Sequence, residues 1–420
     1  MTTLNRRDFL ALLGSLGLAA CSRRILNSSN AKVVVIGGGY GGATAARYLK
    51  LLAPTLDVTL IDKDPVYFSC AGSNEVVAAW HDLGWLRRSH QPLADGYGIR
   101  IVHERVIDVD SSGKTIRLQG GAELPYDRLI LSPGIDLRWD AIEGYDYKAS
   151  LVAPHAWKAG PQTLLLRSKI ASMRAGGVVM ITSPASPYRC PPGPYERASL
   201  IAHYLARHNP RAKVIILDAK TQFSKQALFL KGWQDLYPGR VEWLSSEKEG
   251  QIDHIDAVNR TVVTEFNKHQ ADVLNVIPPQ QAGELAQKTG LTDASGWCPV
   301  DPISFESTLQ PKIHVIGDAC IATPMPKSAF AANSQAKICA AAIVALLEER
   351  APGMPSLINH CYSFLAPDYA ISINGVYEYA RATKELFATG GGETPMTADR
   401  RREADFARDW QQHITADTFL

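Results

Sequence analysis

Beyond its N-terminus the 420-residue chain is expected to lack any apolar run long enough to cross a membrane. It also has little net charge. The 44 Lys and Arg against 42 Asp and Glu leave +2, too weak a field for nucleic acid or strongly acidic partners. Its 7 cysteines include no CxxC pair, and the 11 histidines show no ligand spacing beside them, so a metal site is not expected. CxxCH is missing too, so this chain has no attachment point for a c-type haem.

What is present begins with MTTLNRRDFLALLGSLGLAAC. Arg6 and Arg7 precede a short apolar run, Phe9 to Ala20. NRRDFL resembles a twin-arginine export signal, which serves proteins that fold around a cofactor before export. The expected location is the periplasm, with a disordered basic N-terminus as the alternative. LAAC resembles a lipobox, which would make Cys21 a lipid anchor. Ordinary signal cleavage is the other reading. After export, Cys70, Cys190, Cys298, Cys320, Cys339 and Cys361 would sit where disulfides persist.

AKVVVIGGGYGGATAARYLK, residues 31–50, predicts a strand, a glycine turn and a helix start. Gly37 suits the tight turn, Gly39 lets backbone approach a pyrophosphate, and Gly42 lets helix and strand pack closely. The helix N-terminus supplies N–H donors and positive dipole. DVTLIDKD then predicts a second strand ending at Asp62, an acidic residue placed for ribose hydroxyls. Two later stretches resemble flavoproteins with two dinucleotide-type domains. IHVIGDACIA carries Gly317 and Asp318, like the strand whose aspartate meets the ribityl and phosphate part of FAD. LILSPGI carries Gly134, like the turn closing the FAD domain. Three motifs in this order imply FAD.

A second strand–turn–helix follows, but its turn reads SPASPYRCPPGPYERASL, residues 183–200. Glycines are replaced by Pro184, Pro187, Pro191, Pro192 and Pro194. Proline removes N–H donors, so a phosphate cradle is not expected and NAD(P)H is not the expected donor. Cys190 occupies the loop instead. Cys361 in NHCYSFLAPDYAISI is its candidate disulfide partner, while a structural or free cysteine stays open. Cys70, in VYFSCAGSNEVVAAW, should pass near the flavin ring. A redox thiol, a thioether to the flavin or a small packed residue all fit it. Cys339 reads as a packed thiol in a small-residue helix, and Cys298 and Cys320 receive no catalytic role.

FSCAGSNEV, YRCPPGPYERAS, IGDAC, NHCYS and WQQHITADTF together resemble the flavoprotein subunit of flavocytochrome c sulfide dehydrogenase. The resemblance implies an α/β fold: two Rossmann-like, glutathione-reductase-like domains and a C-terminal α+β interface domain. The expected boundaries are 1–30 for the export signal, 31–150 with 265–350 for the FAD domain, 151–264 for a second domain without nucleotide, and 351–420 for the flavin-covering domain. The resemblance further implies an 8α-S-cysteinyl FAD at Cys70 and a redox disulfide Cys190–Cys361. It places Glu196 near flavin and substrate, and Trp410 over the site. Sulfide would be oxidised to zero-valent sulfur or polysulfide, with electrons leaving to a c-type cytochrome subunit that alone carries haem. Glu196 also fits a plain helix-terminal glutamate favoured by the dipole. Two rivals remain: a sulfide:quinone oxidoreductase, and a non-catalytic flavin–disulfide module.

Overall fold

A computed structural model describes residues 30–420. The export segment expected at 1–30, with Arg6, Arg7 and Cys21, lies essentially outside them. KVVVI, DVTLID and RLIL are near-continuous apolar runs rich in β-branched residues, the pattern of parallel strands covered on both faces. They form the centre of a five-stranded parallel sheet ordered 313–315, 128–131, 32–36, 57–62, 100–103. Glycine turns and binding residues therefore gather at the carboxyl ends of its strands, where open α/β sheets hold ligands.

A second parallel sheet runs 241–244, 213–218, 178–183, 273–276. Its last strand, VLNV, pairs with Val179–Thr182. The return to the first domain, expected at residue 265, thus comes later: residues 273–276 complete the second sheet, because a strand with all four residues buried needs its backbone groups paired, and Val179–Thr182 pair them.

The C-terminal region is a three-stranded antiparallel sheet, Ser356–Ala366, Tyr369–Ala380 and Glu385–Glu393, followed by the helix Arg400–Phe419. That helix turns back onto the first domain. Tyr48 donates to Asp417 Oδ1 at 2.8 Å, Asn333 donates to Asp417 Oδ2 at 2.9 Å, and Lys337 pairs with it at 2.7 Å. Phe419 then stacks on Tyr67, with centroids 5.6 Å apart.

One expectation needs correcting. The helix Ala329–Leu347 is long and apolar enough, by length and composition, to cross a membrane. Of its most apolar window 61% is buried, since small residues let it lie between the glycine-loop helix and the strand Ser356–Ala366. It reads as a core helix.

Candidate functional site

One cavity of about 1110 Å³ collects most of the residues singled out above. Its lining includes Gly37, Gly39, Asp62, Cys70, Gly134, Cys190, Glu196, Gly317, Asp318, Cys361 and Trp410. Gly42 stands behind it in the helix Tyr40–Leu52, fully within the helix–strand contact.

The glycine loop is built for close approach. Gly37 has φ +99°, and a Cβ there would stand 2.2 Å from the Ser132 carbonyl oxygen. A Cβ on Gly42 would stand 1.9 Å from the Gly37 oxygen. Gly39 caps the helix Tyr40–Leu52, whose N-terminus points its free N–H groups and dipole at the cavity. Asp62 Oδ2 accepts the Gly38 N–H at 2.6 Å, which fixes its carboxylate beside the turn. At the far end Gly317, φ +77°, donates its N–H to Gln335 Oε1 at 2.8 Å.

These residues fit a flavin dinucleotide. Asp318 Oδ1 is buried and has no hydrogen-bond partner, and the same holds for the indole Nε1 of Trp157 and of Trp410. All three belong to side chains facing the cavity. Orphaned polar atoms of this kind ask for a polar ligand, because each costs its desolvation when left unpaired. Burial raises the Asp318 carboxyl above the usual range, opposed by Arg189, then Lys327.

Cys190 has φ +57°, a left-handed conformation that non-glycine residues adopt only under constraint, at a cost of about 1–3 kcal/mol. Two backbone bonds hold it: its N–H donates to the Lys327 carbonyl at 2.7 Å, and its own carbonyl accepts from Gly193 at 2.8 Å. A Cβ on Gly193 would come 3.1 Å from Cys190 Sγ and 2.7 Å from Trp157, so only glycine leaves the thiol room at the start of the helix Gly193–His208. Burial pushes the Cys190 thiol well above its ordinary pKa, reinforced by Cys361 and Glu196 and opposed by Lys225 and Arg189.

Cys361 comes from the strand Ser356–Ala366, and its thiol points to Asn359 Oδ1 at 3.5 Å. Burial raises it as well; Lys225, Ser328 and Asn359 act in the opposite sense. Cys190 and Cys361 are both half-buried free thiols on the same cavity.

Glu196 links their two elements. Its Oε1 accepts the Phe364 N–H at 2.9 Å, and its Oε2 accepts from Asn74 Nδ2 at 2.8 Å. Burial lifts its carboxyl to about 7, against those two hydrogen bonds. It can therefore hold or release a proton near neutrality.

Cys70 lies at the edge of the cavity, half-buried, with Sγ 3.9 Å from the Trp157 carbonyl. Trp410 lies against Phe330 and Tyr362, centroids 6.3 and 6.2 Å away. Cys298 and Cys320 meet elsewhere, as register partners on two short parallel strands, and Cys339 is fully buried.

Sequence reasoning missed four polar residues here. Arg197 is 1% exposed and donates to Asn74 Oδ1, the His155 carbonyl, Asn275 Oδ1 and the Ala156 carbonyl at 2.6 to 3.0 Å. Its neighbour Glu196 was the available signal. Asn74 joins Arg197 to Glu196 and sits in the quoted SNEV stretch without having drawn attention. Arg189 reaches Asp318 at 3.9 Å and donates to the Trp157 carbonyl. Lys225, in TQFSKQALF, looks like a surface lysine yet is 0% exposed.

At the second sheet three of the proline loop's N–H groups are engaged. Arg189 N–H donates to Gln280 Oε1 at 2.9 Å, and those of Cys190 and Gly193 are used as described. Asp218, at the end of the strand Lys213–Asp218, accepts from Tyr195 OH at 2.5 Å, from Trp243 Nε1 at 2.9 Å and from Lys220 at 2.6 Å. Tyr195 and Phe223 stack with centroids 3.7 Å apart in the same place.

Three family descriptions match the chain: pyridine nucleotide-disulphide oxidoreductase over 31–164; the central part of the sulfide dehydrogenase [flavocytochrome c] flavoprotein chain over 163–278; and the flavin-binding part of flavocytochrome c sulphide dehydrogenase over 353–419. Mitochondrial sulfide:quinone oxidoreductase of Mus musculus is 23% identical over 344 residues, covering 76% of this chain and 72% of that protein. The sulfide dehydrogenase [flavocytochrome c] flavoprotein chain of Chlorobaculum thiosulfatiphilum is 47% identical over 45 residues, 94% of the compared sequence but 11% of this chain. The solved sulfide:quinone oxidoreductase of Aquifex aeolicus superposes with a TM-score of 0.74 at 18% identity, covering 93% of this chain and 92% of that one. These matches support a sulfide-oxidising flavoprotein oxidoreductase with the pyridine nucleotide-disulphide oxidoreductase fold.

Proposed function

We propose that this chain is the flavoprotein subunit of a sulfide:cytochrome c oxidoreductase. The observation that carries the reading is the convergence of Cys190, Cys361 and Glu196 on one cavity with the FAD-type glycine loop. Cys190 and Cys361 form the redox disulfide. Hydrosulfide opens it by thiol–disulfide-type exchange, and the sulfur leaves as zero-valent sulfur or polysulfide. Glu196 holds or takes a proton beside the two sulfurs, at a carboxyl tuned to about 7.

Gly37, Gly39, Gly42, Asp62, Gly134, Gly317 and Asp318 would hold the FAD, Trp410 would cover it, and Cys70 would carry it as a thioether. When bound, the flavin supplies an acceptor for an electron pair and a source of single electrons. A c-type cytochrome subunit would take those electrons, and haem would belong to that partner alone. In this reading NAD(P)H is not the donor, since prolines stand in the turn where a phosphate cradle would need N–H groups and Asp218 already accepts three hydrogen bonds. The twin-arginine segment sends the protein to the periplasm, with Cys21 as a candidate lipid anchor.

A quinone acceptor is the second reading, favoured by the long match to the mouse sulfide:quinone oxidoreductase. The C-terminal helix argues for the first. Its outer face carries Arg401, Arg402, Asp405, Arg408 and Asp409, with Phe406 as its exposed aromatic, which suits a water-soluble partner better than a lipid surface.

The test is anaerobic addition of sulfide to the purified holoprotein, followed by its absorbance. Bleaching in the wild type and none in Cys190→Ser or Cys361→Ser is expected. Reoxidation by cytochrome c but not by a short-chain quinone would select the first reading; the reverse would select the second. No bleaching in the wild type leaves a non-catalytic redox module.

A further inference from the structure

Lys225 is a lysine in an unusual place. It is 0% exposed and has φ +61°, a left-handed conformation that a non-glycine residue keeps only when its surroundings impose it. Its backbone N–H donates to Glu393 Oε1 at 2.9 Å. Its ammonium donates to Ser363 Oγ at 2.8 Å and points to the Ile371 carbonyl at 3.5 Å. Ser363 and Ile371 are register partners on the strands Ser356–Ala366 and Tyr369–Ala380. No carboxylate lies within ion-pair distance of this ammonium among the described residues. Burying a cation without a close anion is costly, so the fold must gain from it elsewhere.

The nearby anionic groups say where. Cys361 heads them, followed by Glu196, Cys190 and Glu393. Ser363 stands two residues after Cys361, and alternate residues of a strand share a face. The ammonium bonded to Ser363 is thus held on the Cys361 side of the sheet. Lys225 is also the first group opposing the rise of the Cys361 thiol, ahead of Ser328 and Asn359, with Glu196 acting the other way. Cys190 meets a different balance: Cys361 and Glu196 both disfavour its charge, ahead of the help from Lys225 and Arg189.

We propose that Lys225 is the positioning residue that makes Cys361, rather than Cys190, the sulfur that receives the negative charge when the disulfide opens. The inference rests on the Cys190–Cys361 disulfide proposed above. It sets the direction of the exchange. Hydrosulfide attacks Cys190 Sγ. A bond forms between the incoming sulfur and Cys190 Sγ, the Cys190–Cys361 bond breaks, and its electron pair goes to Cys361 Sγ. The products are a Cys190 persulfide and a Cys361 thiolate beside the ammonium. The better-stabilised thiolate leaves faster, so the ammonium selects the site of attack.

The experiment compares wild-type holoprotein with Lys225→Met and Lys225→Arg, each reduced and desalted without oxygen. Iodoacetamide labelling of Cys190 and Cys361 is followed against pH by peptide mass spectrometry. Wild-type Cys361 should label with a lower midpoint than Cys190. Lys225→Met should raise the Cys361 midpoint by about one pH unit or more, about tenfold slower labelling at fixed pH, and Lys225→Arg should restore most of it. An unmoved Cys361 midpoint in Lys225→Met, or a lower midpoint at Cys190 in the wild type, overturns the proposal. Should Lys225→Met not fold, the wild-type order of midpoints and the Arg variant still decide.

A second measurement fixes direction. One equivalent of sulfide is added to oxidised wild type and the persulfide is trapped by alkylation. Mass on Cys190 supports the proposal; mass on Cys361 overturns it. Non-reducing peptide mapping of the oxidised protein separates the two failures. If no Cys190–Cys361 peptide is found, the disulfide reading itself falls, whereas the thiol midpoints still report what Lys225 does.

Discussion

Glu196 accepts the backbone N–H of Phe364 at 2.9 Å across 168 positions of chain. This bond ties the helix that begins just after Cys190 to the strand that carries Cys361. The group that can move a proton is thereby also the clamp between the two sulfurs' elements.

The protonation of Glu196 makes stability depend on pH. Its carboxyl lies near 7 in the folded chain against 4.5 ordinarily, so the folded state binds the extra proton between those values. Stability is full below about 4.5 and is lost as pH rises through 7, by an amount on the order of 3 kcal/mol. In Glu196→Gln this loss should vanish. Thermal melts of wild type and variant at pH 5 and pH 8 check it: the wild-type difference in Tm should exceed that of the variant by several degrees.

Arg197 is a buried guanidinium whose hydrogen bonds all go to neutral oxygens. Arg197→Leu leaves Asn74 Oδ1, Asn275 Oδ1 and the Ala156 carbonyl without this donor, while the His155 carbonyl keeps only Asn275. A loss of about 3–5 kcal/mol in urea unfolding is expected, together with slower sulfide-dependent bleaching, since Asn74 would no longer be held against Glu196. Arg197→Lys should recover only part, because an ammonium cannot reproduce the planar fork.

Gly42→Ala puts a methyl 1.9 Å from the Gly37 oxygen, where backbone cannot yield cheaply. The glycine turn would shift and the dinucleotide lose its cradle. Purified Gly42→Ala should carry less than about a tenth of the flavin found in wild type, measured by absorbance after denaturation. Full occupancy would mean that helix and strand can separate here without disturbing the turn.

Cys70→Ala tests the thioether. In-gel flavin fluorescence should survive denaturation in the wild type and vanish in the variant, with FAD released to the supernatant. Free FAD from the wild type would remove the covalent link and leave Cys70 as a wall of the cavity.

Much of this molecule is legible in its sequence. The two strand–turn–helix units, the glycine spacing at Gly37, Gly39 and Gly42, and the substituted proline loop at Cys190 are local patterns, because turn chemistry depends on a few neighbouring residues. A local pattern also put Asp62 at the end of its strand. The apolar helix Ala329–Leu347 shows the limit of such reading: hydropathy alone cannot tell a core helix from a membrane span, and only its packing does. The strand Val273–Val276 likewise belongs to the second sheet and not to the FAD domain its position in sequence suggests, since strand pairing is non-local.

Residue types and their order along the chain were enough to mark a dinucleotide fold, a displaced phosphate loop and two cysteines worth pairing. Tertiary structure alone decided what surrounds those cysteines. Lys225 sits in an unremarkable stretch and Asn74 in a motif whose cysteine drew the attention, and the partners of both come from strands and helices more than a hundred positions away. Charge tuning is set by distance and by exclusion of water, and both appear only when distant segments meet.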